Sequence, residues 1–193
     1  MISTLDIIGS IIGLVYIVSE YRASRWFWPS SLLMSAFYMV IYFNSHCYAN
    51  ASICVYNLLM SIYGLLVWRG VLHSANSNER PVGSCPARIV PLLLTAFIIL
   101  AVGLYFLLGM LGESKLPVID GISSALTIVA MWMLAQKYWQ QWFCWMIVEP
   151  LMIALCLLSG LYFSAFMYAI YEVFCILGII AWRKMYLNTE NNE

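Results

Sequence analysis

The sequence predicts an all-α integral membrane protein with seven transmembrane helices, arranged as two parallel three-helix bundles that a linker helix joins. Three observations predict this class. Hydrophobic residues make up 64% of the chain and charged residues only 9%, unlike the balance of a soluble domain. Apolar runs of roughly twenty residues recur, the length that an α-helix needs to cross a bilayer. The first three runs also match the last three in one register.

Short polar connections separate the runs, with one exception at residues 69–88, where Gly, Asn and Pro predict a loop. Arg22 is the first positive charge and follows the first run, the reverse of a signal peptide, so we expect that run to remain as a helix. The predicted spans are 5–19, 26–44, 48–68, 89–111, 116–136, 142–158 and 162–182. The predicted units are a first three-helix repeat (1–69), a cytoplasmic loop with linker helix (70–111), a second repeat (112–184) and a polar cytoplasmic tail (185–193).

The internal repeat has an offset of 114 residues and needs no gaps. Because one helix separates the two sets of three, both sets have the same orientation, which predicts an axis along the membrane normal. The matched pairs include Asp6 and Asp120, Ser10 and Ser124, Trp28 and Trp142, Gly64 and Gly178, Trp68 and Trp182, and Arg69 and Arg183.

Basic residues lie on one side of the predicted membrane topology. Only Lys115 falls on the other side. The positive-inside rule therefore places the N-terminus outside and the C-terminus in the cytoplasm. The basic residues on the cytoplasmic side are Arg22, Arg25, Arg69, Arg80, Arg88, Lys137, Arg183 and Lys184.

Aromatic residues mark the ends of the predicted spans. Tryptophan and tyrosine favour the headgroup region, because an apolar ring there carries a polar edge, so we expect most of them to be membrane anchors. They are Trp26, Trp28, Tyr48, Trp68, Trp139, Trp142, Tyr162 and Trp182.

Glu149 is the first candidate for substrate binding, because ionisable side chains at membrane depth are costly and mark functional sites. Trp142 and Trp145 precede it by seven and four residues, which places two indoles and a carboxylate on one helical face. Such a face can stack a flat, positively charged ring. Pro150 can bend the helix and act as a hinge.

Two other helices offer further polar residues for the same site. In lipid, these groups should point into the bundle, where hydrogen bonds can be made. A role as hydrogen-bonding groups between helices is the alternative for any one of them. Gly64 and Gly178 are expected to allow close helix packing or gating movements. The candidates are Tyr56, Asn57 and Tyr63 in the third span, and Tyr168, Tyr171 and Glu172 in the seventh.

Motifs of enzymes and pumps are absent from the sequence. It contains no GxxxxGK[ST] phosphate loop, no HExxH and no nucleophile with a nearby base. We therefore expect no enzymatic activity, no cofactor, no metal and no nucleic-acid partner. With almost no mass outside the membrane, transport is the expected function.

The sequence resembles the PnuC-type vitamin transporters over nearly its whole length. Residues 20–69 resemble the first repeat of that family, and residues 135–184 the second. The resemblance rests on SIYG at 61–64 followed by Trp68, the WxxW of Trp142 and Trp145, GLY at 160–162, and Gly178 with Trp182.

This resemblance implies facilitated diffusion of a vitamin across a bacterial inner membrane, with trapping by a cytoplasmic kinase and homo-trimeric assembly. It maps Trp142, Trp145 and Glu149 to the substrate-contacting helix. Nicotinamide riboside is the expected substrate, since it is the family's most common activity. The Glu149-Pro150 pair departs from the Asp or Asn that such carriers often have, and leaves thiamine a close alternative and riboflavin a third. An ion-coupled symporter and a non-transporting membrane component also remain open.

Overall fold

The computed structural model describes residues 4–44, 48–69, 81–112, 116–158, 160 and 162–191. The regular secondary structure in these ranges is α-helical, with one isolated bridge between Gly83 and Tyr138. Arg80, Lys115, most of the predicted long loop and the side chain of Asp6 lie outside the described part. The helices are α1 (Thr4–Tyr21), α2 (Phe27–Asn44), α3 (Tyr48–Trp68), α4 (Val90–Leu111), α5 (Pro117–Ala135), α6 (Gln141–Leu158) and α7 (Tyr162–Glu190).

Each predicted apolar run corresponds to one helix, and the bounds agree closely except at the end of α7. This helix continues to Glu190, whereas the apolar run ends at Trp182. The residues in between include Arg, Lys, Met and Leu and lack Gly and Pro, so their helix propensity is high. The helix therefore includes part of the predicted polar tail.

Most of the helices suit a bilayer. Among the described residues, five are long and apolar enough to cross it, and the highest mean hydropathy, 2.6, belongs to α4. The chain is a multi-pass membrane protein. The five segments are Ala51–Trp68, Val90–Leu111, Pro117–Ala135, Gln141–Leu158 and Ser164–Glu190, and Phe27–Val40 is a shorter apolar helix.

Six of the helices contact one another in a ring, within which we call α1–α3 the first helix group and α5–α7 the second. In the first group, α2 packs against α1 and α3; in the second, α6 packs against α5 and α7. The groups meet where α3 contacts α5 and where α1 contacts α7, and α4 packs on α5. A functional site between the groups would therefore be lined by α1, α3, α5 and α7, together with the side chains of α2 and α6 that point towards the centre of the bundle.

The internal repeat also appears in the local backbone structure. Ala23 and Lys137, which are 114 residues apart, have φ angles of 49° and 54°. They are the non-glycine residues with positive φ in the described part of the chain. The amide of Ser24 donates to the carbonyl of Ser19 (2.9 Å), and the amide of Tyr138 donates to that of Met133 (3.0 Å). Both are Schellman-type helix ends at equivalent positions of the repeat. A non-glycine residue in the left-handed conformation costs roughly 1–2 kcal/mol, and the chain has one at each of the two positions.

Four tryptophans form the packed core at the end of the molecule where α1 and α5 finish and α2 and α6 begin. Trp28, Trp68, Trp142 and Trp182 are each at most 2% exposed, so the expectation that they anchor the chain at the lipid surface is wrong. Trp26 and Tyr162 are 68% and 72% exposed, as an anchor requires. We call this region the tryptophan end.

Equivalent ring pairs build the tryptophan end. Trp28 meets Trp68 edge to face at 5.3 Å, and Trp142 meets Trp182 in the same manner at 5.9 Å. Trp68 and Trp182 then contact each other across the two groups, with centroids 6.3 Å apart. Edge-to-face rings attract through their quadrupoles in addition to the area that they bury.

Reciprocal hydrogen bonds join the two groups at this end. The indole N–H of Trp68 donates to the carbonyl of Leu134 (3.3 Å), and that of Trp182 donates to the carbonyl of Glu20 (3.1 Å). Both the donors and the acceptors are pairs 114 residues apart. The ammonium of Lys137 lies 4.4 Å above the Trp68 ring and adds a cation–π contact. The tryptophan end is therefore the closed end of the molecule.

Candidate functional site

A cavity of about 590 Å³ lies between the two helix groups. Its described lining comes from six helices and includes no residue of α4. It extends from Leu116 and Asp120 at the start of α5 to Trp142 at the tryptophan end. The polar lining residues are Tyr16, Glu20, Ser31, Ser35, Tyr38, Asn57, Asp120, Ser123, Ser124, Thr127, Glu149, Ser164, Tyr168 and Tyr171.

Six of the nine residues that the sequence suggests for substrate binding line this cavity. They come from three different helices, and their spacing along the chain does not show that these helices meet at one cavity. The six are Trp142, Trp145 and Glu149 of α6, Asn57 of α3, and Tyr168 and Tyr171 of α7.

The α6 face carries buried polar atoms that face the cavity. Glu149 is 7% exposed, and its Oε2 has no hydrogen-bond partner among the described residues. The same holds, within that part of the chain, for the indole N–H groups of Trp142 and Trp145. Buried polar groups are nearly always hydrogen-bonded in folded proteins, so this face can offer two donors and one acceptor to a ligand with flat rings.

Gly178 fixes the position of the Trp142 ring. A Cβ on Gly178 would collide with the indole of Trp142, and a Cβ on Gly64 would collide with that of Trp28. The two glycines and the two tryptophans are repeat-equivalent, so the same close packing occurs once in each group. Only Trp142 of the two tryptophans lines the cavity. Pro150 lies inside α6 directly after Glu149, where a kink would change the position of the carboxylate.

The other three candidates do not line the cavity. The hydroxyl of Tyr56 donates to the carbonyl of Ile128 (2.8 Å), and that of Tyr63 accepts from the side-chain amide of Gln136 (2.7 Å). Both bonds connect α3 with α5 or its C-terminal end, across the two groups. Glu172 lies on α7 beside the cavity-lining Tyr171, and its Oε2 is buried with no partner in the described part of the chain.

Glu20 is the most notable cavity residue that the sequence analysis did not single out. It is 2% exposed, and its Oε1 accepts a hydrogen bond from the amide of Gln141 at 3.2 Å. A glutamate at the end of an apolar run, two residues before Arg22, has the pattern of a solvent-exposed helix end. The available signal was Tyr16, four residues earlier, which places a second polar group on the same face of α1.

The cavity has an acidic character. Glu20, Asp120 and Glu149 line it, and no described lining residue is Lys, Arg or His. Among the described residues, no group of three His, Cys, Asp or Glu side chains could hold a metal ion. The arrangement therefore favours an organic ligand with a positive charge or several N–H and O–H donors.

Known transporters match this chain over nearly its full length. The profile of the nicotinamide mononucleotide transporter family matches residues 3–184. The riboflavin/roseoflavin transporter RibM of Streptomyces davaonensis is 28% identical over 179 residues, which cover 92% of this chain and 83% of RibM. The nicotinamide riboside transporter PnuC of Escherichia coli is 25% identical over an alignment of 207 positions, which covers 94% of this chain and 85% of PnuC.

A solved structure shows the same fold. The crystal structure of the vitamin B3 transporter PnuC superposes with a TM-score of 0.72 and 20% identity. The superposition covers 93% of this chain and 80% of that one.

Proposed function

The chain belongs to the nicotinamide mononucleotide transporter family, and we propose that it takes up nicotinamide riboside by facilitated diffusion. The family and the relatives are transporters rather than enzymes, and the chain is accordingly a vitamin transporter. The vitamin itself and the mode of transport are the proposal.

One observation carries the choice of a cationic vitamin. The cavity between the helix groups places Trp142, Trp145 and Glu149 on one wall and has no basic residue in its described lining. Its volume lies in the range of about 300–1,000 Å³ that is usual for small-molecule sites. Nicotinamide riboside combines a flat pyridinium ring, which can stack on indole, with hydroxyl and amide groups that suit buried acceptors.

The proposed architecture is two parallel three-helix bundles, α1–α3 and α5–α7, with α4 as the linker. The helix contacts and the equivalent helix ends at Ala23 and Lys137 support it. We place the N-terminus outside and the tryptophan end in the cytoplasm of a bacterial inner membrane, because the basic residues cluster at that end. The tryptophan end, which the indole hydrogen bonds close, is then the cytoplasmic side of the cavity.

Transport then requires the two bundles to rock, so that the tryptophan end opens and the outer end closes. Substrate would move down its own gradient, and a cytoplasmic kinase would phosphorylate it and prevent its return. Homo-trimeric assembly, as the family resemblance implies, is part of the same proposal.

Thiamine is the alternative within the same charge class, since both of its rings are flat, its thiazolium ring is cationic and its amino group can donate to Glu149. Riboflavin is a second candidate function, which the similarity to RibM favours. Riboflavin is neutral and would leave the acidic cavity without a charge partner. Ion-coupled transport and a non-transporting role remain as outcomes of the test.

Uptake by purified protein in liposomes tests the proposal. Vesicles without any ion gradient should accumulate labelled nicotinamide riboside to the external concentration, and further only when a nicotinamide riboside kinase and ATP are enclosed. Uptake that requires a proton or sodium gradient would establish a symporter. Absence of uptake for nicotinamide riboside, thiamine and riboflavin alike would contradict a carrier function.

A further inference from the structure

Glu20 places a second buried carboxyl group in the cavity that holds Glu149. It lies in the last turn of α1, belongs to the other helix group, and is 2% exposed. Glu20 of the first helix group and Glu149 of the second therefore line the same cavity, together with Trp142 and Trp145.

Gln141 holds Glu20 in place and defines the chemistry of this corner. Its Nε2 donates to Oε1 of Glu20 at 3.2 Å. Because a carboxylate accepts only, this bond fixes the amide orientation and leaves Oε1 of Gln141 as an acceptor. That oxygen is buried and has no donor among the described residues, as is true of Oε2 of Glu149. The indole N–H groups of Trp142 and Trp145 lack acceptors in the same part of the chain, so the corner offers both unpaired acceptors and unpaired donors to a ligand.

The described lining of the cavity contains no positively charged residue. Lys137 is buried, but its ammonium lies over the ring of Trp68, and it does not line the cavity. Keeping two buried carboxyl groups ionised without a cation is costly. A ligand that brings a positive charge with N–H or O–H donors would offset this cost, and a neutral ligand of the same shape would not.

We propose that Glu20 is a specificity-determining substrate contact, positioned by Gln141, that pairs with the cationic part of the substrate opposite Glu149. The inference rests on the proposed transport function and names the substrate class of the same cavity. A cation bound between Glu20 and Glu149 would contact both helix groups at once, one carboxyl group from α1 and one from α6.

Calorimetric titration of the detergent-purified protein tests this role with pairs of ligands that differ in charge. Nicotinamide riboside is compared with its neutral reduced form, and thiamine with neutral thiochrome. We expect Glu20→Gln to lower affinity for the cation about tenfold or more, the usual range for a lost charged hydrogen bond. Affinity for the neutral partner should change less than threefold.

Gln141→Leu should reduce the same cation-to-neutral preference by a smaller factor, which a purely structural role would not do. Glu190→Gln, at the exposed end of α7, removes an equal charge outside the cavity and should leave all affinities unchanged. Glu20→Asp keeps the charge, and the same titrations are made with this variant if Glu20→Gln does not fold.

Two results would overturn the assignment: cation affinity within twofold of wild type in Glu20→Gln, or an equal loss for cationic and neutral ligands. Failure of the transport proposal is distinct, because in that case the wild-type protein itself would bind none of these ligands. If wild type bound riboflavin alone, the cationic substrate class would be wrong.

Discussion

The indole of Trp142 lies against Gly178 so closely that the glycine has no space for a methyl group. Trp142 is fully buried at the closed end of the cavity, and its ring meets the ring of Trp182 in an edge-to-face arrangement. The repeat-equivalent pair, Trp28 and Gly64, shows the same contact but lies outside the cavity lining. The chain thus contains an internal control for the role of this packing.

Gly178→Ala and Gly64→Ala should therefore have different effects. Each substitution overpacks a tryptophan contact and should lower the free energy of unfolding by about 1–3 kcal/mol. Only Gly178→Ala displaces a cavity residue, so only this variant should also lose vitamin affinity. Thermal unfolding and calorimetric titration of both proteins check this. Equal affinity in the two variants would remove Trp142 from the site.

The tryptophan end should open more readily when its indole hydrogen bonds are removed. Trp68→Phe and Trp182→Phe keep an aromatic ring but delete the N–H groups that donate to Leu134 and Glu20. In the double variant, a larger fraction of the molecules should have the two helix groups separated at the tryptophan end, because each neutral hydrogen bond contributes about 1 kcal/mol.

Distances between spin labels can measure this opening. Labels at Arg25→Cys and Lys184→Cys, both exposed positions, report on the two helix groups in a cysteine-free background. Trp26→Phe is the control, because Trp26 is exposed and outside the tryptophan core. Distance distributions identical to wild type in the double variant would show that these bonds do not hold the end closed.

Neighbouring residues on α3 should separate binding from packing. Asn57 lines the cavity, whereas Tyr56 donates a hydrogen bond to the backbone of α5. We expect Asn57→Ala to lower vitamin affinity about tenfold, and Tyr56→Phe to lower the melting temperature with less than a threefold change in affinity. A larger affinity loss in Tyr56→Phe than in Asn57→Ala would contradict the placement of the site.

The sequence alone could predict the helices and the repeat, because both depend on local composition and register. The apolar runs locate all seven helices, although α7 continues past its run to Glu190. The equivalent turns at Ala23 and Lys137 are separated by the same 114 residues as the repeat. Spacing also correctly groups Trp142, Trp145 and Glu149 on one wall of the cavity.

Tertiary contacts decide the features that the sequence could not supply. Spacing shows that Tyr56 and Tyr63 share a face of α3, but not that this face meets α5. Trp68 and Trp182 end apolar runs as membrane anchors do, yet helices of the opposite group cover them. Glu20 has the local pattern of an exposed helix end, and its burial depends on Gln141, which lies 121 residues further along the chain.

We expect a cationic vitamin to bind in the acidic cavity, and calorimetric titration of wild type and Glu149→Gln measures this binding. Wild type should bind nicotinamide riboside or thiamine saturably, and Glu149→Gln should bind the same vitamin about tenfold or more weakly while eluting as a folded protein. Glu190→Gln should match wild type. Binding of riboflavin alone would contradict a cationic substrate, and unchanged affinity for the cation in Glu149→Gln would contradict a role of Glu149 in binding it.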